Sequence, residues 1–471
     1  MLECTGLESD TELLRGRSLA ISGSGSSADY AAQLLTELGA DVLREPGDPE
    51  PHSDLQWAEC GAMALTGWPE AAPALAPGRV AACARGALAA LRSLAGAGDL
   101  DRLDAAALLG ERAATLELAR RGTTSPGGSC RLLPAADGWF AVNLARPDDL
   151  RLIPAWLEAE AFGDPWCFVA ERAAGRCVAA LVERGRLLGL GVAAVEPPSS
   201  LPTPWLRVAQ RGNARPDSRA EPPLVIDLSS LWAGPLCTHL LARAGARVIK
   251  LESLGRPDGT RTGPREFFDL LHAGQRSVAL DFSSEQGREQ LRRLLLAADI
   301  VVESARPRAL RQLGIEAEKL VEETPGLTWV GISGYGRREP GANWVAFGDD
   351  ASVAAGLTSA SSRAEGSPVF CGDATADPLT GMHAAVAALA SWTTGGGHLL
   401  DLSLRDVVAY VVGFGEPASR ADVRPVASGW EVSAGGEAQL VRAPRARAVC
   451  ERGPELGADT TAILRELEIP C

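Results

Sequence analysis

The sequence predicts an α/β protein in which a doubly wound parallel sheet is joined to a smaller α+β domain. From residue 224 onward, short apolar runs alternate with stretches of helical periodicity, which is the pattern of strands and crossover helices in a parallel sheet. Earlier in the chain, Asp137-Gly138 lies between two apolar runs, and this dipeptide is a strong signal for an antiparallel hairpin. The two patterns divide the chain into regions of different architecture.

The second half contains six apolar runs of strand length. They span residues 224–228, 247–251, 277–280, 300–303, 327–333 and 399–402. The intervals fit helices, most clearly at 284–297 and 380–392, where apolar residues recur with helical spacing. Ser284 stands at the start of the first of these helices and predicts a hydroxyl N-cap.

An internal repeat is visible between residues 19–44 and 225–250. Leu34-Leu35, Gly39-Ala40 and Val42-Leu43-Arg44 align, at one constant offset, with Leu240-Leu241, Gly245-Ala246 and Val248-Ile249-Lys250. Both segments have the order strand, small-residue turn, helix and strand, which predicts parallel pairing with a right-handed crossover. The repeat indicates a duplicated unit. The alternative is that two unrelated units look alike because the same physics shapes both.

Charge and composition exclude several classes of partner. The 471 residues include 46 Lys and Arg against 60 Asp and Glu, a formal net charge of −14, which disfavours nucleic acid and anionic membranes. No charge-free apolar stretch reaches the ~20 residues of a membrane helix, and the first residues lack signal-peptide features. The ten cysteines form no C-x-x-C pair. We therefore expect buried, reduced thiols, no metal site and a cytoplasmic location.

Six segments of the second half carry distinctive motifs. They lie at 226–235, 245–252, 275–281, 298–303, 331–336 and 372–383. In order and spacing they resemble the family III CoA-transferases, a group that includes formyl-CoA and carnitine CoA-transferases and the related α-methylacyl-CoA racemases. The resemblance covers roughly residues 224–410.

The resemblance also implies an organisation for the whole chain. Residues 1–120 are expected to be a degenerate copy of a Rossmann-like nucleotide-binding unit, 121–200 the family's small α+β domain, 201–223 a linker, 224–412 the CoA-transferase large domain and 413–471 a C-terminal return segment. In the family the small domain follows the sheet of the large domain. Here it precedes the well-matched copy, so the order of the parts is permuted.

The resemblance assigns the central role to Asp377. Family members use an aspartate four residues before a glycine, at the start of a helix, as a covalent nucleophile, and Asp377 with Gly381 fits this pattern. A carboxylate suits the chemistry because its attack on an acyl-CoA thioester gives a mixed anhydride and then an aspartyl-CoA thioester. The alternatives are that Asp377 only caps the helix, with Pro378 at the first helical position, or that Asp373 is the nucleophile. His383 is expected in the core.

The resemblance further implies coenzyme A, as the acyl-CoA substrate, at the carboxyl edge of the sheet. The turn of Trp232, Ala233 and Gly234 matches the segment that touches CoA in the family. The alternative is a tight turn around a buried tryptophan.

Basic residues are the expected contacts of the CoA phosphates. Arg276 stands where family members carry a basic pair, and Arg306 and Arg311 are placed to supply further charge. Gln275 replaces the usual lysine and Ser253 an arginine, so the contacts differ in detail from those of the family. The alternative for these arginines is a solvated basic face.

The predicted function is transfer of CoA between an acyl-CoA and a carboxylic acid by a homodimeric, metal-free enzyme. A racemase is the second possibility, but the segment that holds its histidine reads Gly348-Asp349-Asp350 here and offers no imidazole. The third is a catalytically decayed CoA-binding protein, because the first half is degenerate and the CoA contacts are altered. No motif names the acyl group, since acceptor specificity depends on residues far apart in sequence.

Overall fold

The computed structural model describes residues 11–96, 99–160, 162–215, 222–360, 367–415, 421–449 and 451–470. The strands are β1 Ser18–Ser24, β2 Asp41–Pro49, β3 Cys130–Ala135, β4 Gly138–Asn143, β5 Gly191–Ala194, β6 Arg207–Arg211, β7 Leu224–Asp227, β8 Arg247–Ser253, β9 Arg276–Leu280, β10 Ile300–Glu303, β11 Thr328–Ser333, β12 Thr358–Ala360, β13 Pro368–Phe370, β14 His398–Ser403, β15 Asp422–Val426, β16 Gly429–Ala434 and β17 Glu437–Leu440. The α-helices are α1 Ser26–Glu37, α2 Ser53–Glu59, α3 Val80–Ala95, α4 Glu111–Thr115, α5 Pro147–Leu157, α6 Pro165–Ala173, α7 Val178–Leu188, α8 Ala233–Arg243, α9 Arg265–His272, α10 Glu285–Ala297, α11 Pro307–Gln312, α12 Ala317–Glu323, α13 Gly348–Ala354, α14 Ala376–Thr393, α15 Leu404–Val412 and α16 Thr460–Glu466.

A seven-stranded sheet of order β6-β14-β11-β10-β7-β8-β9 organises the second half of the chain. All of its pairs are parallel except β14 with β6, which is antiparallel. The six predicted strands of this region are confirmed to within one or two residues at either end. The expectation of a purely parallel sheet is wrong at β6, because Arg207–Arg211 lies in the range predicted to be a linker and pairs with the edge of the sheet.

The strand order creates a switch point beside β7. From β7 the chain adds β8 and β9 on one side and then returns to place β10 on the other. The loops that leave β7 and β10 therefore diverge to opposite faces at the carboxyl edge, and a crevice opens between them.

Both faces of the sheet are covered, which explains why its strands are continuous apolar runs. Successive residues of a strand point to opposite faces, so Leu224 and Ile226 belong to one core and Val225 to the other. The first core contains α10, α12 and α16, and the second contains α8, α14 and α15. Ser284 caps α10 as expected, accepting a hydrogen bond of 3.0 Å from the Gly287 N–H.

The N-terminal half packs against the α14 side of this sheet. Its β1 and β2 form a two-stranded parallel sheet joined by α1, and the helix pair α1 and α3 lies against α14. His383 of α14 is buried in this contact, as predicted, and its Nε2 lies 2.7 Å from the Tyr30 hydroxyl of α1. The two halves of the chain therefore share one apolar core.

Residues 130–194 form a separate small sheet of order β3-β4-β5, with α5, α6 and α7 on one face. The predicted hairpin is confirmed, since Ala135 pairs with Gly138 across the turn. This sheet contacts the second half through Asn143, whose side-chain N–H donates to Asp350 of α13 at 3.1 Å.

The C-terminal residues return to both halves. The β15-β16-β17 meander contacts α2. Farther along, Asp459 and Thr460 accept hydrogen bonds from the Ser277 and Ala279 N–H groups of β9 at 2.9 and 3.0 Å. These bonds satisfy backbone donors on an edge strand that has no further strand beside it.

Two smaller expectations are corrected. Cys167 and Cys177 are exposed, whereas Cys60, Cys83, Cys130, Cys237 and Cys371 are buried. Helix α14 begins at Ala376, so Pro378 is its third residue and Asp377 its second, instead of the first residue and the cap. None of the helices in the described ranges combines the length and apolar character needed to cross a bilayer.

A fully buried lysine holds the loops at the carboxyl edge of the sheet. The Lys250 ammonium lies 3.0 Å from Asp258 and 3.6 Å from Asp227, and it donates to the Ser229 carbonyl at 2.5 Å. Burial alone would lower the pKa of Lys250, but the two carboxylates outweigh burial and raise it. The charged lysine thereby connects the loop after β7 to the loop after β8.

Replacement of Lys250 by Met should lower the free energy of unfolding by about 3–5 kcal/mol, because it leaves two buried carboxylates without their cation. Urea denaturation monitored by circular dichroism measures this loss. The control is Arg293→Met, which breaks the exposed Arg293–Glu289 pair and should cost less than about 1 kcal/mol. Equal losses in the two variants would contradict the role assigned to Lys250.

Candidate active site

A cavity of about 820 Å³ opens at the carboxyl edge of the large sheet. Its walls include Ser229 after β7, Ser253 at the end of β8, and Ser304 after β10, so it occupies the crevice at the switch point. Arg112 and Arg146 of the first half of the chain close the cavity from the other side. Its position is the one where α/β sheets bind ligands.

Asp377 forms part of the wall of this cavity and is half-buried there. It is the second residue of α14, where the helix dipole favours a negative charge. The backbone N–H of Ala233, the first residue of α8, faces this carboxyl group and lowers its pKa. The starts of two helices therefore meet at one carboxyl group.

The electrostatic environment of Asp377 is mixed. Burial raises its pKa to about 7; the positive charge of Arg112 opposes this rise, and the carboxylates of Asp349 and Asp373 add to it. Near neutral pH the group is therefore divided between its ionised and protonated forms. The ionised form of Asp377 offers a basic carboxylate, and the protonated form offers a proton.

The spacing of Asp377 and Gly381 has a structural cause. One turn after Asp377, Gly381 lies where α14 crosses α8, and a Cβ on it would stand 2.6 Å from the Ala233 carbonyl oxygen and 3.1 Å from the Leu236 Cβ. Only a residue without a side chain permits this separation of the two helices. The glycine thus brings the start of α8 close to Asp377.

Helix α13 contributes the opposite side of the carboxylate. A Cβ on Gly348, its first residue, would stand 2.1 Å from Asp377 Oδ2, so the backbone of α13 lies directly against the carboxyl group. Asp349 follows it, lines the cavity and accepts a hydrogen bond of 2.9 Å from the Ala374 N–H. Burial and the charge of Asp373 raise the pKa of Asp349 to about 6.

Asp373 has a different environment from Asp377. It is fully buried, and Nη1 of Arg112 lies 2.7 Å from both of its carboxylate oxygens. It does not line the cavity, whereas Asp377 does. Of the two aspartates considered from the sequence, Asp377 is the one placed to meet a ligand.

Arg112 is a site residue that the sequence reasoning missed. It lies on α4, in a part of the chain with no motif, and 261 positions separate it from Asp373. Its guanidinium also lies 6.0 Å from the centre of the Trp232 ring. No local pattern could have identified it, because its partners are supplied by other elements.

The turn predicted to touch CoA is only partly exposed to the cavity. Trp232 lines it and packs edge-on against Phe267, with ring centres 5.6 Å apart. Ala233 and Gly234 are buried in the first turn of α8, behind the wall, where Ala233 instead contacts Asp377.

The predicted basic residues separate into two groups. Arg306 directly follows Ala305, which lines the cavity, and burial together with the charges of Arg308, Arg146 and Arg256 lowers its pKa. Arg146 and Arg256 themselves line the cavity. Within the described ranges, Arg256, Arg306 and Arg308 form no ion pair with a carboxylate. This end of the cavity therefore has an excess of positive charge.

Arg276 and Arg311 do not join that group. Arg276 is the first residue of β9 and so lies at the amino edge of the sheet, opposite the cavity, where it pairs with Glu466 at 2.5 Å. Arg311 lies on α11 and forms an ion pair with Glu318 of α12, in which Nη2 and Oε1 are 3.1 Å apart. Their positions follow from strand direction and helix phase, which the sequence resemblance did not resolve.

A second cavity of about 1020 Å³ lies between α1, the segment 199–211 and α15. Its acid, Glu37, already accepts hydrogen bonds from Trp205 Nε1 at 3.2 Å and the Tyr410 hydroxyl at 2.8 Å. It is remote from Asp377, so the candidate site is placed in the smaller cavity.

Comparisons with known proteins concern the same part of the chain. Residues 223–427 match the family model for CoA-transferase family III. An acyl-CoA transferase of Fusarium pseudograminearum is 34% identical over 199 residues, which cover 38% of this chain and 44% of the relative. A formyl-CoA:oxalate CoA-transferase of Escherichia coli O139:H28 is 33% identical over 195 residues, which cover 39% of this chain and 47% of the relative. The chain thus spans about half the length of these curated relatives.

Among solved structures, a CAIB/BAIF family protein from Brucella suis covers 54% of this chain and 100% of its own, with 20% identity and a TM-score of 0.45. The region matched by the family model contains all six motifs singled out from the sequence.

Gly381→Ala should lower the free energy of unfolding by about 1–3 kcal/mol, because the added methyl group forces α14 and α8 apart. Chemical denaturation measures the change. Gly175→Ala is the matched control, since a Cβ there meets no atom within 4 Å, and its stability should stay within about 0.5 kcal/mol of the original. A Gly381→Ala protein as stable as the control would contradict the close helix crossing.

Proposed function

We propose that the chain is an acyl-CoA:carboxylate CoA-transferase whose nucleophile is Asp377, since residues 223–427 match the family model for CoA-transferase family III. The observation that carries the proposal is the position of Asp377, half-buried in the wall of the cavity at the carboxyl edge of the sheet, with its pKa raised to about 7. A carboxylate of raised basicity is a better nucleophile than an ordinary aspartate, and near neutral pH a large share of it is ionised.

The proposed reaction passes through two covalent states of Asp377. The carboxylate attacks the carbonyl carbon of the acyl-CoA, the carbon–sulfur bond breaks, and CoA leaves as a thiolate from the resulting mixed anhydride. The thiolate then attacks the aspartyl carbonyl and expels the donor carboxylate, leaving an aspartyl-CoA thioester. An acceptor carboxylate reverses both steps, so the thioester bond energy is retained and the Asp377 carboxylate is regenerated.

Three groups of this chain support these steps. The Ala233 N–H at the start of α8 lowers the pKa of Asp377, so it favours the ionised, nucleophilic form before substrate arrives. Gly348 lets the backbone of α13 pack directly against Oδ2, because a side chain at this position would overlap the carboxylate. Trp232 and Phe267 form an apolar wall that excludes water from the reacting atoms.

We place the phosphate groups of CoA beside the arginines that line or border the cavity. Arg146, Arg256, Arg306 and Arg308 are near one another there, and three of them have no carboxylate partner in the described part of the chain. Like charges gathered in this way are unfavourable unless an anion joins them. The pyrophosphate and 3′-phosphate of CoA supply such charge.

The organisation of the chain forms part of the proposal. The parallel pair β1 and β2 with α1 between them supports residues 1–120 as a degenerate Rossmann-like copy. The three-stranded sheet with α5 to α7 supports 121–200 as the small domain. The large domain is taken as 224–412, and 413–471 as the return segment. A homodimer and a cytoplasmic location stay predictions from the sequence.

Transferase chemistry is favoured over racemisation at this site. Asp349 occupies the position where the racemases of the family carry histidine, and its carboxyl group replaces the imidazole. A racemase would exchange the α-proton of the acyl group with solvent, whereas a transferase exchanges the acyl group and leaves that proton in place.

Incubation with an acyl-CoA followed by hydroxylamine should convert Asp377 to its hydroxamate, which mass spectrometry of the peptide detects. Asp377→Asn and Asp377→Ala should lose the label and lower the rate of CoA exchange by at least about 1000-fold, because no nucleophile remains. Asp373→Asn is the matched control and should keep the label. An active preparation with an unmodified Asp377 peptide would refute the covalent role.

Arg256→Gln and Arg306→Gln should each raise the KM for acyl-CoA about tenfold with little change in kcat, because each removes one charge-assisted contact to phosphate. The effect should shrink as salt rises. Arg276→Gln is the matched control, since Arg276 is paired with Glu466 at the other edge of the sheet, and its KM should not change. Equal effects in all three variants would contradict this location for CoA.

A further inference from the structure

We propose that Arg112, supplied by the N-terminal half of the chain, is a positioning residue for Asp377: it fixes Asp373 beside the nucleophile and provides the positive charge that faces it. The inference rests on the proposed function, because it concerns the same carboxylate. It goes beyond that function by giving the degenerate half of the chain a role in the chemistry of the second half.

The contact between Arg112 and Asp373 is specific. Nη1 of Arg112 stands 2.7 Å from both carboxylate oxygens of an aspartate that is fully buried, whereas the arginine side chain keeps about a quarter of its surface exposed. The exposed part borders the cavity that contains Asp377. One guanidinium therefore contacts a structural acid on one side and borders the ligand space on the other.

A second ion pair holds the short helix that carries Arg112. The preceding residue, Glu111, is buried and accepts hydrogen bonds of 2.7 and 2.8 Å from Arg447 in the C-terminal part of the chain. Arg447 also lies 2.5 Å from Nε2 of His239 on α8. Helix α4 is thereby attached to α8, the helix whose first residue faces Asp377. Glu111 anchors α4 through Arg447, and the adjacent Arg112 lines the cavity.

The local charge balance makes Arg112 important. The charged groups that shift the pKa of Asp377 most are Arg112 on α4, Asp349 on α13 and Asp373 ahead of α14, and the Ala233 N–H of α8 lowers that pKa as well. Three carboxyl groups thus share one guanidinium. Without it, ionised Asp377 would face two acids and lose the largest charge that opposes them, and its protonated, non-nucleophilic form would be favoured.

The arrangement also explains why two halves occur in one chain. The nucleophile and the helices that orient it come from residues 233–393, but the positive charge comes from residue 112, and Arg146 of the small sheet borders the phosphate end. The site is therefore assembled from both halves of a single chain, and the N-terminal half acts as part of the active-site wall.

The test uses the pH dependence of kcat/KM for one acyl-CoA. Only ionised Asp377 attacks, so activity is lost as the pH falls through its pKa, with a midpoint near 7 in the unchanged protein. Removal of the Arg112 charge raises that pKa, so Arg112→Gln should move the midpoint upward by about one pH unit. Removal of a neighbouring negative charge acts in the opposite direction, so Asp373→Asn should move the midpoint downward.

The double variant separates a local electrostatic role from a purely structural one. Arg112→Gln alone leaves Asp373 buried without a partner and risks misfolding. In the Asp373→Asn background the glutamine and asparagine are both neutral, so no buried acid is orphaned. Comparison of Asp373→Asn with the double variant then isolates the effect of the Arg112 charge on Asp377. Thermal melting confirms that each protein is folded.

Arg102→Gln is the control, because Arg102 lies on the same half of the chain, its side chain is about 85% exposed, and among the described residues it pairs with Asp99, three positions earlier. Its midpoint should equal that of the unchanged protein. The inference is overturned if the double variant has the same midpoint as Asp373→Asn, or if Arg112→Gln and Asp373→Asn shift the midpoint in the same direction. Loss of hydroxylamine labelling in the unchanged protein would instead overturn the proposed function itself.

Discussion

The close crossing of α8 and α14 is the constraint on which the site depends. The two helices approach each other at Gly381, where no side chain separates them, and this contact sets the distance from the start of α8 to Asp377. A helix start offers N–H groups and positive potential to a carboxylate. Two helix starts at one aspartate favour its ionised form, while burial opposes it, and the balance leaves the pKa near neutral.

The rest of the molecule holds these two helices in place. The sheet fixes the loops that precede them, and the buried Lys250 connects the loops after β7 and β8 through Asp227 and Asp258. The N-terminal helices cover α14 from outside and share its apolar core. The Lys250 network lies under the loops, and the N-terminal helices cover α14. Asp377 is therefore accessible from the cavity.

Much of the fold and one half of the site could be predicted from sequence, because the information is local. Apolar runs bounded by turn residues identified the strands from β7 to β14, since a strand buried on both faces must be apolar along its length. The Asp377 and Gly381 pair lies within one helical turn, and both residues serve the same contact with α8. Arg306, three residues after β10, lies next to Ala305 in the cavity wall, and its contact with CoA stays a prediction.

The remaining features depend on contacts between distant segments. Edge strand β6 has no strong apolar pattern, because it is paired on only one side, and only its partner β14 defines it as a strand. Arg276 has the right residue type, but the direction of β9 places it at the opposite edge of the sheet. By itself, the sequence determined the parallel sheet and the helix that carries Asp377, the predicted nucleophile. Only the tertiary structure decided which charges surround that nucleophile, because Arg112 meets Asp373 across 261 residues and electrostatic partners are chosen by distance in space.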